Sequence, residues 1–344
     1  MKIKSMFQSS GVVNSNKTRK TLMMAMACCF GAGLALPAIA AQPEAKDYPQ
    51  RPIRLIDPYA PGGGSGVVAR LVTAKLSDAW GKQVVIDNRP GASGAIGTEI
   101  AMRALPDGYT LLMGTSGSIA ISPNMNKVPY EPLKDLIPIT QTSGQSMLLV
   151  VHPSVPINSV KDLLAAAKAQ PKKLTFASSG TGGSGHLAAE LFQSIAKVSL
   201  IHVPYKGNGP AVFAVLSAEV QLGFNNILAV LPHVNGGKLK AIAVTSPKRA
   251  AAVPNVPTLA ESGVTGYEAT SWNGMFAPAK TPRPIINKVH GEVVKALNLP
   301  DVREKLVAMG SDPVGSTPEE FYAHIKVELE RWGKVIRDNN IRSE

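Results

Sequence analysis

The stretch Asp57-Pro-Tyr-Ala-Pro-Gly-Gly-Gly-Ser-Gly66 sits between a short β-type run, residues 53–56, and apolar residues spaced as on one helix face: Val67, Val68, Leu71, Val72, Leu76 and Trp80. Three consecutive glycines let the backbone take positive φ and let a ligand approach without meeting a Cβ. The helix that starts directly afterwards has first-turn N–H groups without intrahelical partners. Those groups and the positive end of the helix dipole form an anion site. The competing reading is a plain strand-to-helix turn. A second copy of the pattern argues against it. A strand at 174–177 runs into Ser178-Ser-Gly-Thr-Gly-Gly-Ser-Gly185, then a helix with Leu187, Leu191, Phe192 and Ile195 on one face. Two glycine loops, each between a strand and a helix, read as two jaws of one clamp.

The rest of the chain alternates strand and helix. Residues 83–86 read as a buried strand, 88–94 as a turn, 95–105 as a short helix and 110–114 as a strand ending in the polar loop 115–118. A second unit starts with a strand at 148–151 and a helix at 160–169, which Ser159 caps and Pro171 stops. Strands follow at 200–203 and 220–224, with a helix between them, and at 239–244. Residues 247–266 form a Pro/Gly-punctuated connection, and 268–277 are strand-like around Trp272. Helices at 285–297, at 302–309 and from Pro318 close the chain; Pro318, Glu319 and Glu320 suit a helix N-terminus. Such alternation implies an α/β fold with a largely parallel sheet in each lobe. Crossings near 142–147 and 268–271 divide it into lobe 1 (41–144 and 270–344) and lobe 2 (145–269).

Residues 1–40 read as a cleavable export signal. Lys2, Lys4, Lys17, Arg19 and Lys20 precede an apolar run, 21–36, and Ala38-Ile-Ala40 is a small-residue cleavage pattern. The competing readings are a retained anchor and a lipoprotein using Cys28. Cleavage near Ala40 removes the only two cysteines, Cys28 and Cys29, and with them any disulfide, thiolate nucleophile or thiolate metal ligand. The chain carries a net charge of +12. A positive bias draws small anions toward a cleft. No Lys/Arg run interleaves with aromatics, so nucleic acid is not the expected partner.

Enzyme readings lack their parts. His152, His186, His202, His233, His290 and His324 show no metal-ligand spacing. The nearest match to a nucleophile elbow, Gly182-Gly-Ser-Gly-His186, ends in His where glycine is required. The first loop is neither a dinucleotide fingerprint nor a P-loop. Both loops are rich in N–H donors and hydroxyls and poor in general bases, which suits holding an anion. No cofactor and no metal are expected. His186, at the start of a helix, is expected to be neutral and to pack locally.

The chain resembles the Bug-type extracytoplasmic solute receptors of tripartite tricarboxylate transporters. The resemblance rests on Tyr48-Pro-x-x-Pro-Ile-Arg54, Pro58-Tyr-Ala-Pro-Gly-Gly-Gly64, Asp87-Asn-Arg-Pro-Gly91, Pro106-Asp-Gly-Tyr109, Ala177-Ser-Ser-Gly180, His202-Val-Pro-Tyr-Lys-Gly207, Leu231-Pro-His233 and Phe276-Ala-Pro-Ala279, in order through the region after the signal. It implies a monomeric, periplasmic, two-lobed Venus-flytrap fold that closes on a small organic carboxylate and presents it to membrane permease subunits. Carried over by position, the first loop offers Tyr59, Pro61, Gly63, Gly64 and Ser65. The second loop offers Ser178, Ser179, Thr181, Gly183 and Ser184. Thr115 and Ser116 lie at a strand's C-terminal end, where open α/β sheets bind ligands; Asn225 and Trp272 complete the set.

Two departures bear on the ligand. The family commonly continues its first loop with Thr-Asp, where this chain has Ser65-Gly66, and Asn225 stands where the family often has Asp. The expectation is a carboxylate cradle with no acidic side chain beside it and a ligand without a free amine. The alternatives to a transport receptor are a ligand-dependent partner of a membrane sensor and an exported hydrolase using Ser184 and His186.

Overall fold

The computed structural model describes residues 47–342. The signal at 1–40 lies outside them. Strand β1 (Ile53–Asp57) leads through the glycine loop into helix α1 (Gly64–Trp80), then β2 (Val84–Asn88), α2 (Ala95–Met102) and β3 (Thr110–Thr115). Two short helices, α3 (Ser122–Met125) and α4 (Pro132–Asp135), precede a long strand, β4 (Leu136–Val151). The middle of the chain continues with α5 (Val160–Ala169), β5 (Thr175–Ser178), α6 (Ser184–Ala196), β6 (Ile201–Pro204), α7 (Asn208–Leu216), β7 (Leu222–Asn226), α8 (Ile227–Asn235) and β8 (Lys240–Val244). After a connection come β9 (Thr270–Pro278), α9 (Arg283–Asn298), α10 (Pro300–Ala308), β10 (Ser311–Pro313) and α11 (Pro318–Asp338).

The strands follow the order β2-β1-β3-β9-β4-β7-β5-β6, with β8 and β10 also paired to β4. β2, β1 and β3 run parallel, as do β6, β5 and β7. Antiparallel pairing is confined to the pairs made by β4 and β9. Residues 136–146 of β4 pair with β9, and residues 147–151 pair with β7 and β8. One 16-residue strand therefore runs through both lobes.

The sequence suggests only the last four residues of this strand. Its earlier part, with Thr140, Gln141, Ser143, Gly144 and Gln145, has no apolar alternation. Its side chains bond to neighbours instead. Ser143 Oγ donates to Gln145 Oε1 at 3.1 Å and accepts from Asn273 Nδ2 at 3.0 Å. Helix α8 also escapes the periodicity because it is short, nearly all apolar and interrupted by Pro232. Residues 115–118, expected as a loop, end β3 and enter a wide π-helical turn over Gly117–Ile121.

Apolar stripes place the layers. Val68, Val72 and Leu76 of α1 pack with Val289 and Val293 of α9 against Leu55 and Leu111. Val212 and Val215 of α7 and Val230 of α8 cover Leu148, Val150 and Val244. A third cluster joins the lobes, running from Leu112, Phe276 and Trp332 to Phe176, Leu187, Phe192 and Phe224. Local signals hold where they are strong. Ser159 Oγ accepts from Asp162 N at 3.1 Å at the start of α5, and Thr317 and Glu320 form a reciprocal capping box on α11.

Candidate functional site

The C-terminal ends of β1, β3, β5 and β7 converge on one small cavity, at the point where parallel strands of each lobe diverge to different neighbours. Gly63, Gly64 and Ser65 line it from the first loop, and Ser179 and Ser184 from the second. Tyr59, Thr115, Asn208, Asn226, Ser271 and Asn273 complete the wall. The enclosed volume is about 20 Å³, room for one water. A carboxylate ligand does not fit a cavity of this size.

Four helices begin at this cavity. The residues preceding α1, α6 and α7 are Gly63, Gly183 and Gly207, and none of these helices has a side-chain cap or an acid in its first turn. α8 is capped by Asn226, whose Oδ1 accepts from Leu228 N at 3.0 Å. That leaves the Nδ2 of Asn226 as a donor. Helix α11, away from the cavity, has a capping box, Pro318 at its start and two glutamates in its first turn. Glycine at the start of α1, α6 and α7 leaves first-turn N–H groups without a side-chain acceptor, the arrangement that suits an anion.

The hydroxyls around the cavity have mostly given their protons elsewhere. Tyr59 Oη donates to Ser93 O at 3.0 Å and lies 3.1 Å from Thr115 Oγ1, which then donates to it. Burial pushes the Tyr59 phenol up to about 12, so it remains protonated. Ser65 Oγ donates to Asp57 Oδ1 at 3.0 Å. The remaining donors are backbone N–H groups, the hydroxyls of Ser179 and Ser184, and the amides of Asn208 and Asn226: a neutral set suited to a carboxylate, with charge-assisted bonds strengthened by burial.

Asp57 corrects the expectation of a cradle without an acid beside it. Its carboxyl is fully buried under the first loop, and its Oδ2 has no hydrogen-bond partner. A Cβ at Gly66 would lie 3.3 Å from that oxygen. Burial, only partly offset by Ser65 and the Tyr59 N–H, raises its pKa to about 6. The residue was visible in the sequence at the end of β1, but alternation gave no reason to turn its side chain beneath the loop. The expectation of a ligand without a free amine drew on the two missing acids at Gly66 and Asn225; Asp57 supplies a carboxyl beneath the first loop.

The jaws touch directly. Ala60 N donates to Lys206 O at 3.0 Å, Asn126 Nδ2 donates to Thr181 O at 3.3 Å, and Ser93 Oγ also donates to Thr181 O. A Cβ on Gly64 would lie 2.6 Å from the Asn226 side chain. Outside the small cavity a second one of about 480 Å³ shares Tyr59 and Ser179 with it. Tyr59 and Ser179 stand where the two meet.

Behind the second loop, His186 and His202 stack with ring centroids 4.1 Å apart, and Phe176 stacks on His202 at 4.9 Å. His186 Nδ1 accepts from Gly182 N at 3.1 Å, and His202 Nε2 lies 2.6 Å from Ser178 Oγ. The two rings thus brace both ends of the loop. Burial, with a smaller contribution from His202, lowers His186 to about 3; burial lowers His202 to about 4. Both are neutral near pH 7, as expected for His186. Its other nitrogen faces Glu190 at 3.7 Å, so His186 is not oriented as a base for Ser184.

Of the residues named from the sequence, Tyr59, Gly63, Gly64, Ser65, Thr115, Ser179 and Ser184 meet around the inner cavity, and Thr181 lines the outer one. Pro61, Ser116, Ser178, Gly183, Asn225 and Trp272 line neither. Ser116 Oγ lies 3.1 Å from Ser271 Oγ, and so stands behind a lining residue. Asn225 is fully buried over Gly223, and its neighbour Asn226 faces the cavity instead. Asn208, Ser271 and Asn273 were also missed. Position after a glycine, at Gly207, could have flagged Asn208; nothing in the sequence marks the two on β9.

Trp272 packs away from the cavity. Its ring meets Phe321 edge-on at 5.3 Å, and its Nε1 donates to Glu328 Oε2 at 3.3 Å, which Trp332 Nε1 also uses at 3.1 Å. Trp272→Ala is expected to cost about 3–5 kcal/mol in urea unfolding, as for other buried tryptophans. Trp272→Phe is expected to lower stability by about 1 kcal/mol and leave ligand affinity within about twofold. A large affinity loss in Trp272→Phe at unchanged stability would place Trp272 in the binding machinery.

Residues 68–341 match the model of the tripartite tricarboxylate transporter family receptor. Protein BugT of Bordetella pertussis is 36% identical over 322 residues, covering 93% of this chain and 99% of its own. A Rhodopseudomonas palustris protein solved with adipate superimposes with a TM-score of 0.83 at 35% identity, covering 86% of this chain and 99% of its own. MatC from the same organism, solved with bound malate, gives 0.81 at 30%, covering 84% and 100%. With a matched region spanning most of the folded chain and relatives aligned nearly end to end, the protein belongs to the tripartite tricarboxylate transporter receptor family.

Proposed function

We propose that the chain captures a small organic carboxylate between its lobes in the periplasm and delivers it to the permease subunits of a tripartite tricarboxylate transporter. The observation that carries this reading is the convergence of uncapped helix N-termini from both lobes on one cavity. An anion placed there bonds to both lobes at once, so the closed state binds it better and is populated by it. The bound adipate and malate of the two related structures support a carboxylate. In this reading the protein is exported with cleavage near Ala40 and works as a monomer. Residues 145–269 move as one jaw against the rest, with the flexing points where β4 and β9 cross between lobes.

Thermal unfolding against a panel of aliphatic and aromatic carboxylates tests it. A ligand at about 100 times its Kd stabilises by about 2.7 kcal/mol. For a chain of this size that raises Tm by roughly 5 °C. A panel in which no carboxylate raises Tm would overturn the reading.

A further inference from the structure

Asp57 is an acid that the carboxylate reading leaves without a task. It ends β1 beneath the first loop, fully buried, and does not line the inner cavity itself. It reaches the cavity through Ser65, which lines the wall and whose Oγ donates to Asp57 Oδ1 at 3.0 Å. Tyr59 N donates to the same oxygen at 3.2 Å. Asp57 Oδ2 is buried without a hydrogen-bond partner. Arg70 of α1 approaches at Gly66: its Nη1 and Asp57 Oδ2 each lie 3.3 Å from the point where a Cβ at 66 would stand. Arg70 and the Tyr59 phenol are the ionisable groups that bear on the carboxyl; its other polar neighbours, Ser65 and Asn88 of β2, are neutral. Burial raises this carboxyl to about 6, so at pH 7 it is mostly ionised.

A carboxylate seated on the first-turn N–H groups of α1 meets that charge. A ligand oxygen bonded at Ser65 stands within about 6 Å of the Asp57 carboxyl, in a buried setting where like charges repel strongly. When two carboxylates share one site, one of them is driven to take a proton. The ligand has the helix N-terminus and open donors to hold its charge, whereas Asp57 Oδ2 has no donor. We propose that the site takes up its carboxylate together with one proton, which Asp57 holds on Oδ2. The inference rests on the carboxylate reading and adds the charge state of the complex. The proton comes from solvent, no other covalent bond changes, and the Ser65 and Tyr59 hydrogen bonds to Oδ1 stay in place. The complex with a monocarboxylate then has the same net charge as the empty protein.

Titration calorimetry on the mature protein tests this, with the carboxylates of the thermal panel as probes, adipate and malate first. Binding enthalpies at pH 7 in MOPS and in imidazole, buffers whose own ionisation enthalpies differ, give the number of protons taken up. Expected is an uptake of about 0.5–1 proton per carboxylate bound, and an affinity roughly fivefold higher at pH 7 than at pH 8, where the probes themselves stay ionised. Asp57→Asn keeps an acceptor for Ser65 and Tyr59 N but does not titrate. It is expected to take up no proton and to bind equally at the two pH values. Arg70→Gln removes the cation that faces Asp57 and is expected to increase the uptake at pH 8. Binding whose enthalpy is the same in both buffers would overturn the proposal and leave the carboxylate reading intact. So would a proton uptake that persists in Asp57→Asn. Failure of the whole panel to bind would remove both readings together.

Discussion

Gly209→Ala is expected to leave both lobes folded and to weaken carboxylate binding by about tenfold or more. Gly209 lies in the first turn of α7, and a Cβ there would come within 2.1 Å of the Pro61 carbonyl oxygen. Pro61 belongs to the first loop, on the opposite jaw. The obstacle is backbone, which cannot rotate aside. Overpacking of this kind costs typically about 1–3 kcal/mol, and about 1.4 kcal/mol is a tenfold change in affinity. The clash exists only when the jaws meet, so the penalty falls on the closed state and leaves the open state untouched. Calorimetry with the best-binding carboxylate should show the loss, while scattering should show no contraction on adding ligand. Melting of the ligand-free protein should change little. An unchanged Kd would mean that this contact is not part of the binding-competent state.

The second large effect is expected on acidification. His186 and His202 are held at about 3 and about 4, below the ordinary histidine value, so the unfolded chain binds protons on them that the folded chain does not. Their stabilisation is present above pH 6.5 or so and is lost as pH falls toward the folded values. Between pH 7 and pH 5 each histidine withdraws about 2 kcal/mol. Asp57 acts in the opposite sense. Its folded pKa of about 6 lies above the unfolded one, so its burial penalty shrinks as pH falls through the same range, returning about 1.4 kcal/mol. The histidines prevail, and urea midpoints at pH 7 and pH 5 should differ by roughly 2–3 kcal/mol. In His186→Gln the difference should narrow by about 2 kcal/mol. Because the two rings brace Ser178 and Gly182, the second loop should loosen first, visible as amide exchange at residues 178–185 ahead of the sheet. A stability flat from pH 7 to pH 5 would show that the pair is solvated.

The parts of this fold that were legible in the sequence are those in which local chemistry and packing agree. The repeated strand, glycine loop and helix could be read because periodicity changes from β-type to helical at each loop, and Ser159 could be read because a cap acts within one turn. The long strand β4 could not, since Ser143, Gln145 and Asn273 satisfy one another across strands and leave no apolar pattern. The loops of the candidate site were legible for the same reason as the fold. Its side walls were not. Asn226 and Asn225 are adjacent and chemically identical, and only the register of β7 against β4 decides which one faces the cavity. Trp272 entered the candidate set by position in the family pattern, yet its indole N–H is committed to Glu328.

The glycine-capped helices have a practical consequence. Helix α11 carries its own terminating residues, whereas α1, α6 and α7 have none, and in the proposed function a bound carboxylate takes that role. The ligand is in effect a removable capping residue shared by several helices, and any small acid in the surroundings competes for the post. Protein purified through citrate or acetate buffers would arrive already occupied, and its affinity for the natural ligand would be understated. Its true empty state is one prepared in carboxylate-free solution.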